Sequence, residues 1–505
     1  MKPFFLSAFL LTILFSPLYG QNVRYPFPHH TQYKGLYIRP SNYTQDQLDK
    51  QTEAFYDGWK KKYLKPGCEK GQYYVWFESG NTLTVSEAMG YGMVIVPLMA
   101  GYDPDAQKYF DGLNRFYLAH PSHIMPHLMA WKQVTGCKDA DGPDSATDGD
   151  MDIAFGLLLA YAQWGDTAYL HEAILIIRDI MGKTAAEGDI NQHLYSVKLG
   201  DWVTGGGLFM NSTRTSDFIM DHFRAFGIAV HDTAFWQRVT DTCYAYVADM
   251  QKNYSPNTGL LPDFIIHLDK TPEPAFPNFL EGRLDGNYSY NACRDPWRLT
   301  NDYLINGDNR AKKAVLKIDK WLYHATEGSV NRVYAGYYLN GKKAAGWSDI
   351  SFTAPFAVGA MLNTAQQSWL NKLYSRILLS KVSSGGYYDN TLKMLAMITL
   401  SGNYWVPPRD ILNSIHHPTK EPEKSIRIYP SVTQNYITVK STRPTVSFPL
   451  NVFVYNTIGK IVIHQTDNHP SGFQISLEKL PKGMYVVLIT DKNQNRLATT
   501  RIIKP

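Results

Sequence analysis

The chain has 505 residues, 44% of them hydrophobic and 19% charged. It is too apolar to be disordered and too long for one small domain. Net charge is +5, from 50 basic and 45 acidic residues, an excess too weak to suggest a nucleic-acid binder.

Met1 to Gly20 opens with Lys2 as its only charge and continues as an apolar run, Phe4 to Phe15. That run is too short to cross a bilayer and has the length of a signal-peptide core, with cleavage expected after Gly20. No later stretch is long and apolar enough for a membrane helix. An exported, soluble chain without a transmembrane helix is expected, and export permits disulfides. The cysteines, Cys68, Cys137, Cys243 and Cys293, are too widely spaced for a CxxC-type metal site. One or two bridges, or none, are compatible with the sequence.

Residues 21–416 read as helix after helix. Period-3.6 spacing marks Asp46–Leu64, Met151–Trp164, Leu170–Met181, Ala311–Tyr323, Met361–Leu379 and Leu392–Leu400, and β-alternation is scarce. About a dozen such helices, paired in sequence, would form an α/α barrel with its loops gathered at one end. Residues 417–424 are a polar, proline-containing linker. Residues 425–505 break into short alternating runs separated by Gly, Asn, Asp and Pro, the pattern of a small β-sandwich. Residues 421–505 carry 11 Lys and Arg against 5 Asp and Glu, leaving 39 basic and 40 acidic residues elsewhere. The body therefore exerts no long-range pull on polyanions.

Three segments carry candidate chemistry. In Val85-Ser86-Glu87-Ala88-Met89, Ser86 or Thr84 could cap a helix whose first turn holds Glu87. Glu87 would then either complement the helix dipole or, desolvated by apolar neighbours, serve as a proton donor. In Thr147-Asp148-Gly149-Asp150-Met151-Asp152, three acids precede an apolar helix, more than one cap needs. In Pro274–Arg283, Glu281 by itself reads as a surface loop acid. His120, His123 and His127 are interrupted by Pro121 and Pro126 and make a poor metal site.

Together these segments resemble glycoside hydrolase family 8 over most of residues 25–405. Val85–Met93 is similar to the family's proton-donor segment, and Ser145–Ala154 resembles its central substrate-binding segment. Lys198–Trp202 and Asp221–Phe226 add to the likeness. The resemblance implies an all-α (α/α)6 barrel that cleaves β-1,4-linked glycans with inversion. Many members carry an aspartate base where this chain has Asn291. One subfamily, with chitosanases, lichenases and cellulases, instead has a glutamate base in an inserted loop, and Pro274–Arg283 looks like that loop. By this resemblance Glu87 is the acid and Glu281 the base. Asp148 binds the distorted sugar, Asn291 helps hold the water or the loop, and Arg294 keeps a neighbouring carboxylate ionised. Trp131, read as lying at a helix end, and Tyr388 are candidate stacking platforms. Asp150 and Asp152 are read as structural, and Asp217 stands where many members have a sugar-facing Tyr.

The tail resembles the type IX secretion sorting domain of Bacteroidetes through Ile428–Val432, Tyr455–Lys460 and Leu480–Val487. That implies export to the cell surface or medium. A carbohydrate-binding β-sandwich is the alternative, although Tyr429, Tyr436, Tyr455 and Tyr485 are spread over several strands. The expected partners are a polysaccharide and the secretion machinery. No cofactor is expected, and the chain should be a monomer. Neutral β-glucan ranks above chitosan and xylan as substrate, although Glu273, Glu281 and Asp285 in one loop would suit an aminated sugar. A non-hydrolytic glycan-binding protein and a reducing-end exo-xylanase are the competing readings.

Overall fold

A computed structural model describes residues 23–413, 426–429, 433–441, 448–456, 460–469, 472–492 and 496–505. The signal-peptide and linker readings, and the tail motif residues 430–432 and 457–459, lie outside them.

Two kinds of helix alternate along the body. The first kind is buried on nearly all sides. It comprises α2 (Ser86–Leu98), α4 (Thr147–Trp164), α6 (Met220–Ala229), α8 (Asp295–Asn306), α10 (Ile350–Ala360) and α12 (Tyr387–Leu400). In α4, every residue from Thr147 to Gln163 is buried. A helix without a polar face must be surrounded by others. Here α2 contacts α4, α4 contacts α6, and the sequence of contacts continues through α8, α10 and α12 back to α2, closing an inner ring of six. The second kind is amphipathic: α1 (Gln45–Tyr63), α3 (Ala106–Ala119), α5 (Thr167–Met181), α7 (Thr233–Asn253), α9 (Asn309–Ala325) and α11 (Gln367–Leu379). Each lays its apolar stripe on the inner ring and shows its charged face to solvent, giving an (α/α)6 barrel. A short α13 (Arg409–Asn413) packs on α6 and α4.

One sequence expectation needs correction. Met361–Leu379 is not one helix. Met361, Leu362 and Asn363 are buried in a turn, and α11 begins only at Gln367. Their apolar character reflects burial, which periodicity alone does not distinguish from helix. The body also holds a few short strands. Thr82–Val85 pairs with Lys132–Val134, and Thr213–Arg214, Phe264–Ile266 and Glu273–Pro274 form a second small sheet. Each strand has two to four residues, too few for alternation to register.

Cys68 and Cys137 are disulfide-bonded with Cα atoms 6.2 Å apart, whereas Cys243 and Cys293 are buried free thiols. Contacts divide the chain at Ser414/Ile415 into two units. The second holds two antiparallel sheets. One orders Ile426–Tyr429, Tyr436–Ser441 and Phe473–Ser476; the other orders Ile461–Asp467, Leu450–Tyr455, Gly483–Thr490 and Arg496–Lys504. Alternate residues such as Ile437, Val439, Val452, Val454, Val487 and Ile489 share one buried core. Tyr429 and Tyr436 are exposed, but Tyr485 is buried and donates to the Pro481 carbonyl at 2.7 Å.

Candidate active site

The starts of α2, α4, α10 and α12, with the turn ahead of α8, supply groups to one place. A cavity of about 630 Å³ is lined by Glu87, Asp148, Arg214, Glu281, Asn291 and Asp349, with Trp131, Tyr290, Tyr387 and Tyr388 as aromatic walls. Helix N-termini carry partial positive charge, which suits acids placed in first turns.

Glu87 occupies the first turn of α2. Contrary to the sequence reading, neither Ser86 nor Thr84 caps this helix. The cap position is Val85, without a side-chain bond, and Ser86 N–H instead donates to the Trp131 carbonyl at 2.8 Å. Glu87 is 17% exposed. Its Oε1 accepts from the Tyr387 hydroxyl at 3.1 Å and its Oε2 from Arg294 Nη1 at 3.0 Å. Burial lifts its carboxyl to about 7; Arg294 opposes the shift and Asp148 adds to it.

The acids around Asp148 lie inside α4, not ahead of it, and Ala146 precedes the helix without capping it. Asp148 accepts from Arg294 Nη1 at 2.7 Å and faces Arg214 Nη1 at 3.7 Å. Burial alone would raise its carboxyl, but the two guanidinium groups outweigh burial and hold it below the usual range. Asp150 accepts the Met129 N–H at 3.0 Å. Asp152 binds Arg298 at 2.5 and 2.9 Å and His222 at 2.9 Å. Removing one partner of such a buried pair costs about 3–5 kcal/mol.

Arg294, 1% exposed, lies beneath the cleft in the 3-10 turn before α8. It donates to Glu87, Asp148, the Tyr91 hydroxyl, Ser216 Oγ and Asn291 Oδ1. Asn291 then passes the chain on, because its Nδ2 donates to Glu281 Oε2 at 2.8 Å. Asp263 fixes this turn by accepting the N–H groups of Ser289 and Ala292 at 3.0 and 2.7 Å.

Glu281 is 47% exposed yet held at both oxygens, with Arg214 Nη2 3.0 Å from Oε1. Its loop is built around Asp285, which accepts the N–H groups of Leu280, Glu281 and Gly282 at 2.8–3.0 Å. Phe279 anchors the loop in an aromatic cluster with Phe264, Phe209 and Phe276. At the loop base, a Cβ on Gly286 would stand 1.9 Å from the Ala275 carbonyl oxygen, so only glycine fits. The small sheet that joins Thr213–Arg214 to Phe264–Ile266 brings Arg214 to this loop. Glu273 is paired with His267 at 2.8 Å. Neither Glu273 nor Asp285 is therefore a free acid of the kind that would suit an aminated sugar.

Trp131 lies in the loop before Lys132–Val134, not at a helix end as expected. Its indole N–H donates to the Asp141 carbonyl at 3.2 Å. Tyr388, second residue of α12, donates to the Tyr290 carbonyl. Asp217 is fully buried below the cleft, 3.8 Å from Arg214, and burial raises its carboxyl to about 7. His120 and His127 are tied separately, to Asp139 and Asp179, each at 2.8 Å. Six of the seven site residues expected from sequence thus line the cleft, and Arg294 lies beneath them. Arg214, Tyr387 and Tyr290 were not foreseen: Tyr290 and Tyr387 stand next to the expected Asn291 and Tyr388, whereas Arg214 lies in no segment that stood out in the sequence.

Residues 48–402 match the profile of glycosyl hydrolases family 8, and residues 427–504 match a secretion system C-terminal sorting domain. The chain is similar to a beta-glucanase of Niallia circulans, 44% identical over 75% of this chain and 91% of the relative. An endoglucanase of Bacillus sp. (strain KSM-330) is 36% identical over 76% of this chain and 82% of the relative. Among solved structures, the apo beta-1,3-1,4-glucanase from Paenibacillus sp. X4 superimposes with a TM-score of 0.72 at 44% identity. That match covers 76% of this chain and all of the other.

Proposed function

The chain belongs to glycoside hydrolase family 8 and is a glycosidase with a C-terminal secretion sorting domain; on that premise we propose that it is an exported, endo-acting, inverting glycanase cleaving β-1,4 bonds in a neutral β-glucan. The observation that carries the reading is one cleft with two carboxyls in opposite environments. Glu87 is largely shielded from solvent and lifted to about 7, so it is protonated on the acid side of neutrality. Glu281 is half-exposed and receives hydrogen bonds from Arg214 and Asn291.

Inversion needs a protonated carboxyl to give its proton to the leaving oxygen and a carboxylate to take one from water on the opposite face of the sugar. Glu87 takes the first role and Glu281 the second. Asp148, kept anionic by Arg294 and Arg214, accepts hydroxyls of the sugar at the cleavage point. Asn291 cannot take a proton from water; it orients Glu281. Trp131 and Tyr388 offer faces on which sugar rings stack. The named activities of the 44% identical relatives favour a β-glucan, mixed-linkage glucan included. The engagement of Glu273 and Asp285 with their own neighbours argues against chitosan. The sorting domain supports passage to the cell surface or medium by type IX secretion.

The test is reducing-sugar release from carboxymethylcellulose, mixed-linkage β-glucan, chitosan and xylan by the wild type, Glu87→Gln and Glu281→Gln. Cleavage of the glucans, with both variants slowed roughly 10³-fold or more, is expected. An active Glu281→Gln would place the base elsewhere. A wild type that binds glucan but cuts none of the four would make this a glycan-binding protein.

A further inference from the structure

Trp347 is 60% exposed, and no other tryptophan among the described residues is classed as exposed. A large flat ring left in water is costly, and such surfaces commonly mark a binding site. The segment that carries it is not loose. The Trp347 carbonyl accepts the Ala335 N–H at 2.9 Å, and Tyr337 on the same loop exchanges both backbone hydrogen bonds with buried Tyr288.

The side chain is tied to the cleft as well. The Trp347 indole lies beside the Tyr290 hydroxyl, which donates to Asp349 at 3.0 Å. Tyr290 and Asp349 both line the cleft. Tyr290 is itself 41% exposed, with its ring fixed edge-on against Phe352 at 5.1 Å and 6.4 Å from Tyr388. Tyr388 and Tyr290 thus lead from the cleft walls toward the exposed Trp347 indole.

We infer that Trp347 is an outer sugar-binding platform, which stacks a glucan residue beyond the cleft and so makes long chains better substrates than short ones. This rests on the glycanase reading above for its ligand. The physical basis is that binding energy gained away from the reacting centre is used only by a substrate long enough to reach it. Asp349, two residues along and beside Tyr290, is placed to accept hydroxyls of the same chain.

The experiment has two readouts on the full-length protein. The first is kcat/KM on mixed-linkage β-glucan and on its tri- and tetrasaccharides, for the wild type, Trp347→Ala and Trp347→Phe. The second is retardation of Glu87→Gln, with and without Trp347→Ala, in gels containing the polymer. Trp347→Ala should lose about tenfold on the polymer, mainly through KM, and nothing on the short sugars, with Trp347→Phe in between. Retardation of Glu87→Gln should weaken when Trp347→Ala is added. Equal losses on short and long substrates would overturn the inference, because Trp347 would then act only by supporting Tyr290. Unchanged retardation would also overturn it. If the wild type cuts nothing but Trp347→Ala still abolishes retardation, the platform stands and the hydrolytic reading falls.

Discussion

Asn291 has to be an amide in this site. Its oxygen faces the Arg294 guanidinium and its nitrogen faces a Glu281 oxygen at 2.8 Å, so one end must accept and the other must donate. An aspartate there would set two carboxylates in contact, and both could not ionise freely. This gives a prediction for the pH profile of kcat/KM. With Glu87 as the proposed acid, the basic limb in the wild type is expected to be its own. A general acid works only while protonated, so activity falls as pH rises through about 7. Asn291→Asp should leave that limb in place and move the acidic limb upward, with lower activity below neutrality. An unmoved acidic limb would show that Glu281 is not the base that Asn291 orients. At this scale Glu87 and Asp148 were legible because each lies in a compact acid-bearing segment before or within an apolar helix. Glu281 was legible only through family likeness. Arg214 was not legible at all: its importance comes from a two-residue strand that brings it to a loop 67 positions away.

The six inner helices hold these groups in place through close backbone approach. Helices α2 and α4 meet at glycines. A Cβ on Gly149 would fall 2.3 Å from Ser86 Oγ and 2.6 Å from the Ser86 carbonyl carbon, and one on Gly156 would fall 2.7 Å from the Met93 oxygen. Gly149 follows Asp148, and Ser86 precedes Glu87. One methyl group at that crossing therefore pushes apart the two helix starts that carry Glu87 and Asp148. Gly149→Ala should destabilise the body by about 1–3 kcal/mol, the usual range for overpacking, and should lower kcat far more than a remote change of equal cost. Thermal unfolding and kcat, measured beside a surface variant matched in stability, would check this. A variant that loses stability but keeps kcat would mean the crossing does not position the site. The helices themselves could be read from periodicity because burial on one side or all sides writes a 3.6-residue pattern. Their exact ends could not: Met361 and Leu362 are as buried in a turn as they would be in a helix.

At the scale of the whole molecule, two units carry separate tasks. Every residue placed around the cleft lies before Ser414, within the closed ring of inner helices and on the side of the chain that holds the Cys68–Cys137 disulfide. The second unit has its own core, formed by alternate residues of two sheets, and matches a sorting domain. Sequence alone exposed this division, because the hydrophobic period changes from 3.6 to 2 near residue 420 and the excess of basic residues is confined to the tail. A unit with its own core can fold alone. A chain lacking residues 415–505 should therefore fold and hydrolyse soluble β-glucan with kcat/KM within about twofold of the full chain. In a cell that has the type IX machinery, however, the shortened chain should stay inside the outer membrane, while the full chain reaches the surface or medium. Activity assayed separately in medium and cell fractions reads both effects at once. Loss of total activity would show that the sheets support the barrel, and export of the shortened chain would remove the sorting role from the second unit.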